Sequence, residues 1–399
     1  MCTTGGGGVE FQKLKQVLEF FFKASALFFI NLNFLRKELS MKIRTFLVLL
    51  LVLMVGSFMF TAPVFAKKKP SLDRWKPDFD PKGAKYKCLV SNVSTPALVG
   101  TYAGFEIRDE LWKRTNGQIY LDFKPYSILG GEVEVLNMLQ MGAVQGMGVS
   151  SVASTNFGPR FGLANMPFLI DSFEKLDKFV SNKKLYNHFL NAMDHQGITG
   201  LGITGYGNYG WATTIPVKTI ADTKPVKFRI AEAAVNQLSY KSWGINPVPM
   251  PWPDVPVALK QGVITGMDHT LAVCYLTKKF EVAKYFTQLN YAQGLFIWIF
   301  NKAWLAKLPS DLRATFISTV QDVCAENRKR TPQWELDQIE AAKTKSGVEF
   351  FQLPAADMAT LRTKSQVVYD KYASEINKIY PGDTYKPDNF LKEVQDFLK

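Results

Sequence analysis

Arg229, Trp252 and His269 are placed by the order of elements where they can do chemistry together. Short apolar runs suited to strands (Lys227–Ile230, Ile245–Met250 and Ile264–Asp268) alternate with helix-patterned runs (Ala231–Trp243 and Asp254–Lys260, the second ending at Gln261-Gly262). Open parallel sheets bind ligands beyond the carboxyl ends of their strands. Those ends carry Arg229, then Pro249-Met250-Pro251-Trp252, then Asp268-His269. A cation, an aromatic plate and an imidazole are therefore expected at one mouth. The planar guanidinium fits two oxygens of a carboxylate, sulfonate or phosphate. A neighbouring acid, Glu232 or Asp268, is the competing partner for Arg229. His269 can donate a hydrogen bond to an anion or change charge near neutral pH.

Catalytic constellations are not apparent. The chain has three histidines (His188, His195 and His269), with no HExxH, GxSxG, Gly-rich phosphate loop or metal-ligand cluster. His188 and His195 lie near Lys183, Lys184 and Asp194, which suggests solvated or capping roles. Acids are plentiful but lack a paired spacing. Binding without turnover, cofactor or metal is the expectation. Cys88, Cys274 and Cys324 sit in apolar stretches without CxxC spacing and read as buried free thiols, a Cys88–Cys274 bridge being the alternative.

The elements that must position these residues fall into two wound segments, which points to two lobes of α/β type, each a sheet flanked by helices. In the first, strand Tyr86–Val90 leads to a helix through Ala103, Ile107 and Leu111 that stops at Asn116-Gly117; Ile119, Leu121 and Phe123 then alternate as a parallel strand. A helix from Glu132 to Gly142, a buried strand Ala143–Val149 and a strand Ile198–Thr204 follow. Asn92, Ser150 and Ser151 come just after predicted strands and can supply neutral donors. The segment from Lys227 is the second lobe. Beyond Ala303 the chain turns to long helices, Ser310–Arg330 and Trp334–Lys345, which Pro332 should kink or split. A strand near Val348–Phe351 and two terminal helices complete it.

The ends differ from the middle. From Met41, two early cations (Lys42 and Arg44), an apolar run Phe46–Phe60 and Val64-Phe65-Ala66 lay out a secretory signal cleaved after Ala66. The run is shorter than the roughly 20 residues that span a bilayer. Residues 1–40 precede a start that a signal peptide would itself supply, and Arg36-Lys37-Glu38 can be encoded as a ribosome-binding purine tract; they are expected to be a mis-assigned upstream extension. Setting aside residues 1–66, with seven cations and three acids, reduces 399 residues and a net charge of +13 to 333 residues and +9. The chain is 47% hydrophobic, enough for sizeable cores. Its cations are scattered, without the stripe or aromatic interleaving of a nucleic-acid surface.

These residues carry a family resemblance over nearly all of the exported chain. Thr115-Asn116-Gly117-Gln118-Ile119, Leu129-Gly130-Gly131-Glu132, Leu139-Gln140-Met141-Gly142, Pro167-Phe168-Leu169, Gly244-Ile245-Asn246-Pro247-Val248-Pro249-Met250 with Ala258-Leu259-Lys260-Gln261-Gly262, and Lys279-Phe280-Glu281-Val282-Ala283-Lys284-Tyr285 stand in the order and spacing of the TRAP transporter solute-binding proteins of DctP type. The resemblance implies a two-lobed periplasmic binding protein fold with a cleft between the lobes. Its lobes would be 85–206 and 207–294 after a tail 67–84, with 295–334 returning to the first lobe and 335–399 packing mainly on the second.

It further implies a periplasmic receptor that captures a small organic anion and hands it to the small and large TRAP membrane subunits, with no nucleic-acid partner. A receptor presenting ligand to a membrane sensor, or an exported enzyme on the same scaffold, are the alternatives. The family's ligand-binding arginine falls on Arg229. Its second arginine is replaced by Tyr209, within Asn208-Tyr209-Gly210-Trp211, and an asparagine of its ligand loop by His269. With Trp211, Trp252 and Trp298 offering ring surface and Asn208 a neutral donor, the ligand expected is a monoanion with an apolar or aromatic body, or a small sulfonate, rather than a C4-dicarboxylate.

Overall fold

A computed structural model of the chain describes residues 76–399. The expected upstream extension, the export signal and the first part of the tail lie outside the described residues. The rest of the tail turns through Pro81–Gly83 and docks by stacking Phe79 on Trp112, ring centroids 4.3 Å apart.

Alternating apolar positions build the first part of the sheet. Strands β1 (Tyr86–Ser91) and β2 (Ile119–Lys124) pair in parallel around helix Val99–Arg114, whose Ala103, Ile107 and Leu111 are fully buried. That helix ends where the sequence indicates, with Asn116 and Gly117 both at positive φ. Helix Glu132–Gln140 leads to β3 (Gly146–Ser150), which joins β1 in parallel. The second part is formed by β5 (Phe228–Ile230), β6 (Pro247–Pro249) and β7 (Gly266–Thr270), with β5 paired in parallel to both neighbours.

Two long strands cross between these parts. The expected strand Ile198–Thr204 continues as β4 to Thr213, 16 residues in all, and pairs antiparallel with the 17-residue β8 (Tyr285–Asn301). The order is β2-β1-β3-β8-β4-β7-β5-β6, with β9 (Glu349–Gln352) beside β8. β3 pairs with residues 296–300 of β8 and β7 with residues 209–213 of β4, so opposite ends of the crossing strands serve different parts of the sheet. The register slips between Gly205 and Gly210, around Asn208↔Gln293. The β4 extension is not visible as a strand in the sequence because Gly205, Gly207 and Gly210 interrupt its pattern.

Helix Ser310–Lys345 runs unbroken for 36 residues, about 54 Å at 1.5 Å per residue, so Pro332 does not split it. Its polar side chains hold β4: Asn327 Oδ1 accepts from Gly205 N at 2.9 Å and Arg328 Nη1 donates to Ile203 O at 2.9 Å. Three helices follow β9 rather than two: Ala355–Lys364, Gln366–Ile376 and Phe390–Leu398. They do not keep mainly to residues 207–294. Ser365 meets Trp243, but Tyr369 donates to Pro167 O, and the last helix lies against Phe173–Ser181. The reason is Arg160, fully buried, whose guanidinium finds its partners in Asp383 and the Lys378 carbonyl. One apolar core runs under both parts of the sheet, from Val149 and Phe161 through Tyr291 to Trp211 and Trp243.

Candidate functional site

Arg229 sits in the middle strand of the β7-β5-β6 trio, one residue from its carboxyl end. The side chain is 4% exposed, and its Nε and Nη2 both donate to the Met250 carbonyl, at 3.0 and 2.7 Å. Neither Glu232 nor Asp268 forms an ion pair with it; the guanidinium keeps Nη1 without a partner among the described residues. Burial lowers its pKa, and Tyr209, Asp268 and Glu132 act in the opposite sense. Trp252 follows Met250, and both Arg229 and the buried Lys279 lie over its ring, at 5.6 and 5.2 Å.

His269 closes this group. Its ring meets Trp252 edge-on at 4.8 Å and lies nearly parallel to Tyr209 at 5.8 Å. Nδ1 accepts the Thr270 N–H at 2.9 Å, which leaves the ring proton on Nε2 as a donor. Burial, then Arg229 and Lys279, hold its pKa well below the ordinary imidazole range, so it stays neutral rather than changing charge near neutral pH. The Tyr209 and Tyr206 hydroxyls pair at 3.2 Å. Asp268, also buried, accepts from the Tyr291 hydroxyl at 2.6 Å, and burial pushes its pKa up to about 7.

Arg229, Trp252, His269, Tyr206, Tyr209 and Asp268 line a small inner chamber of about 40 Å³, together with Ser94, Glu132 and Ser150 from the first part of the sheet and Phe296 from β8. That holds roughly three water-sized atoms, the size of a head group. Arg229, Trp252 and Glu132 also border a wider outer chamber of about 470 Å³. Glu132 takes the Ser150 N–H on one oxygen, at 2.6 Å, and the Ser150 hydroxyl on the other, at 2.8 Å; burial raises its pKa. Ser150 thus spends its donor on Glu132, and Glu132 is what faces the chamber.

Of the residues singled out in the sequence, Arg229, Trp252, His269, Tyr209 and Ser150 come together here. The others serve the framework. Trp211 is buried and donates to the Tyr240 hydroxyl, and Trp298 to Thr204. Asn92 bonds Gly148 O and receives Ser94 N; Ser151 bonds Asn165. Asn208 is held by Glu335 of the long helix, through its N–H and its side chain at 2.5 Å each, and by Gln293. Glu132, Tyr206 and Phe296 were not anticipated. Glu132 had a signal: an acid opening a helix directly after a parallel-strand turn faces the crevice. Tyr206 and Phe296 had none, because the crossing of β4 and β8 places them. His188 is also not solvated: it is buried against Phe390 and Tyr385, and burial lowers its pKa to about 4. The three cysteines are buried and free, as read from the sequence. Among the described residues no group of three or more His, Cys, Asp or Glu could hold a metal ion, and no helix is long and apolar enough to cross a membrane.

A sheet in two parts joined by two crossing strands, flanked by helices, with a cavity at the carboxyl ends of strands from both parts, is the architecture of the two-lobed periplasmic binding proteins. The chain belongs to the bacterial extracellular solute-binding protein family 7, the DctP family of TRAP solute-binding proteins, whose model matches residues 91–375. It is 27% identical over 254 residues to the 2,3-diketo-L-gulonate-binding periplasmic protein YiaO of Escherichia coli, covering 62% of this chain and 75% of that one. It is likewise 27% identical over 268 residues to the C4-dicarboxylate-binding periplasmic protein DctP of Rhodobacter capsulatus, covering 66% and 79%. Among solved structures, a TRAP periplasmic solute-binding protein of Desulfovibrio salexigens with bound orotic acid matches at TM-score 0.72 and 21% identity, covering 79% of this chain and 99% of that one. One from Shewanella oneidensis with bound succinate matches at TM-score 0.72 and 20% identity, covering 79% and 100%.

Proposed function

We propose that this protein is the exported, periplasmic receptor of a TRAP transporter, released by cleavage after Ala66, which captures a small organic anion and delivers it to the membrane permease without chemical turnover. One observation carries the reading: Arg229 is buried at the cavity, free of any carboxylate partner, with its guanidinium open to a chamber the size of a head group. Acids lie near Arg229, but none is hydrogen-bonded to it, and an anionic ligand can take the open Nη1 in a charge-assisted hydrogen bond. His269 Nε2 and the Tyr206–Tyr209 hydroxyl pair are neutral donors in the same chamber. The organic acids in the names of its relatives are of this chemical class. In this reading the two parts of the sheet are lobes, near 85–206 and 207–294, that close on the anion about the register slip at Asn208.

A thermal-shift screen against organic acids and sulfonates identifies the ligand; at 100 times its Kd a ligand stabilises by about 2.7 kcal/mol. Calorimetry on Arg229→Ala then tests the anchor. Truncating a desolvated arginine costs about 2 to 5 kcal/mol, a loss of affinity on the order of 30-fold to more than 1,000-fold. Near-native affinity in that variant would remove Arg229 from the site.

A further inference from the structure

The acids around Arg229 outnumber it. Glu132, Glu134, Glu232 and Asp254 line the outer chamber, and Arg229 is the one cation among its lining residues. None of the four is ion-paired among the described residues. They come from three helix beginnings: Glu132 and Glu134 open Glu132–Gln140, Glu232 precedes Ala234–Trp243, and Asp254 precedes Val255–Lys260. A bare helix N-terminus attracts an anion; here a carboxylate of the chain stands first at each. The termini of the two longer helices, Glu132–Gln140 and Ala234–Trp243, carry roughly half a positive charge each, which with Arg229 falls short of four carboxylates. Independently of this ring, Arg229 is 4% exposed and spends Nε and Nη2 on one carbonyl, leaving Nη1 unpartnered at the inner chamber. The inner chamber also borders Glu132 and Asp268, but Asp268 is bonded by the Tyr291 hydroxyl and Glu132 by Ser150, which leaves Nη1 of Arg229 as the open charged group there, while the further acids Glu134, Glu232 and Asp254 belong to the outer chamber and favour a cation.

We infer that the ligand is a zwitterion: a carboxylate or sulfonate on Arg229 in the inner chamber, joined to a cationic nitrogen, ammonium or guanidinium, that lies in the outer chamber with Glu132 as its first partner. The inference rests on the anion-receptor reading and narrows it. Glu132 borders both chambers and accepts one hydrogen bond from Ser150 on each oxygen, which leaves each with a further lone pair. A dicarboxylate meets the reverse arrangement, because its second carboxylate lies among four acids.

Calorimetric titration of the full chain, at low and at physiological salt, separates these ligands with four probes of similar length: 5-aminopentanoate, 4-guanidinobutanoate, hexanoate and glutarate. The two zwitterions are expected to bind about ten-fold or more tighter than hexanoate, one decade being about 1.4 kcal/mol, with glutarate weakest and the margin shrinking as salt rises. Glu232 and Asp254 are exposed, so a Glu232→Gln, Asp254→Asn double variant that folds normally should narrow the zwitterion margin several-fold, with weaker binding of both zwitterions and slightly tighter binding of hexanoate. Glu132→Gln should narrow it further. Hexanoate or glutarate binding as tightly as the zwitterions overturns the inference and leaves the anion receptor standing. A wider thermal-shift screen in which neither anions nor zwitterions stabilise the protein overturns both.

Discussion

Asp268 and His188 are two buried titrating groups that pull the stability of the fold in opposite directions. Burial raises the Asp268 carboxyl to about 7, so between about pH 4 and 7 the folded chain holds a proton the unfolded chain has released. Its contribution to stability therefore falls as pH rises through that window. Burial, then Arg160, lower His188 to about 4, so between about pH 4 and 6.5 the unfolded chain holds the extra proton. That contribution is lost as pH falls through the window. In the wild type the two slopes offset each other. Asp268→Asn removes one of them, and urea midpoints should then drop more steeply from pH 6.5 to 4.5 than in the wild type. An unchanged profile would mean that Asp268 is ionised in the folded protein. Arg229 acts at the same scale on both: its loss should weaken ligand binding and, by removing a positive charge beside Asp268, raise that carboxyl further.

The crossing strands are the element on which ligand capture would turn. β4 and β8 lose register around Asn208, and at that slip Gly207 adopts φ 119°. A side chain there is strained by the backbone conformation alone, and its Cβ would come within 2.7 Å of Glu335 Oε1. Glu335 cannot withdraw freely, since it accepts from both the N–H and the side chain of Asn208. Gly207→Ala is expected to cost about 1 to 3 kcal/mol in urea unfolding and to weaken any ligand that needs the lobes to close. Native stability in that variant would show that the slip relaxes without Glu335 and does not constrain the strands. Asn208, picked from the sequence as a ligand donor, thus belongs to this joint rather than to the chamber.

At the scale of the whole molecule, the C-terminal helices hold the two parts of the sheet together. Helices Ala355–Lys364 and Gln366–Ile376 lie on Ala234–Trp243, the second also against Pro159–Asn165, while Phe390–Leu398 lies on Phe173–Ser181. The Arg160–Asp383 pair, 2.6 Å apart and nearly inaccessible on both sides, fastens the connecting segment between the last two helices. Removing one member of a buried pair strands the other, at about 3 to 5 kcal/mol. Asp383→Asn should therefore lower the unfolding midpoint and expose residues beyond 376 to limited proteolysis. A variant as stable and as protease-resistant as the wild type would show that apolar packing by Phe390, Leu391 and Val394 suffices.

Several features were legible in the chain before any fold was seen. The strand–helix alternation in both parts of the sheet, the stop at Asn116-Gly117, the buried cysteines and the meeting of Arg229, Trp252 and His269 at one mouth all follow from local periodicity and from the rule that parallel strands end on the same side. Tertiary structure alone decided the rest. Whether Trp211 faced the chamber or the core depended on which face of β4 was buried, and glycines had masked that strand. The role of Glu132 depended on Ser150, 18 residues away, spending its hydroxyl on it. The fate of Arg229, offered Glu232 and Asp268 as partners by proximity in sequence, was decided by the Met250 carbonyl taking two of its nitrogens and leaving the third open. Periodicity assigns a residue to a face; only the packed fold determines which hydrogen-bonding groups on that face are already satisfied and which remain available to a ligand.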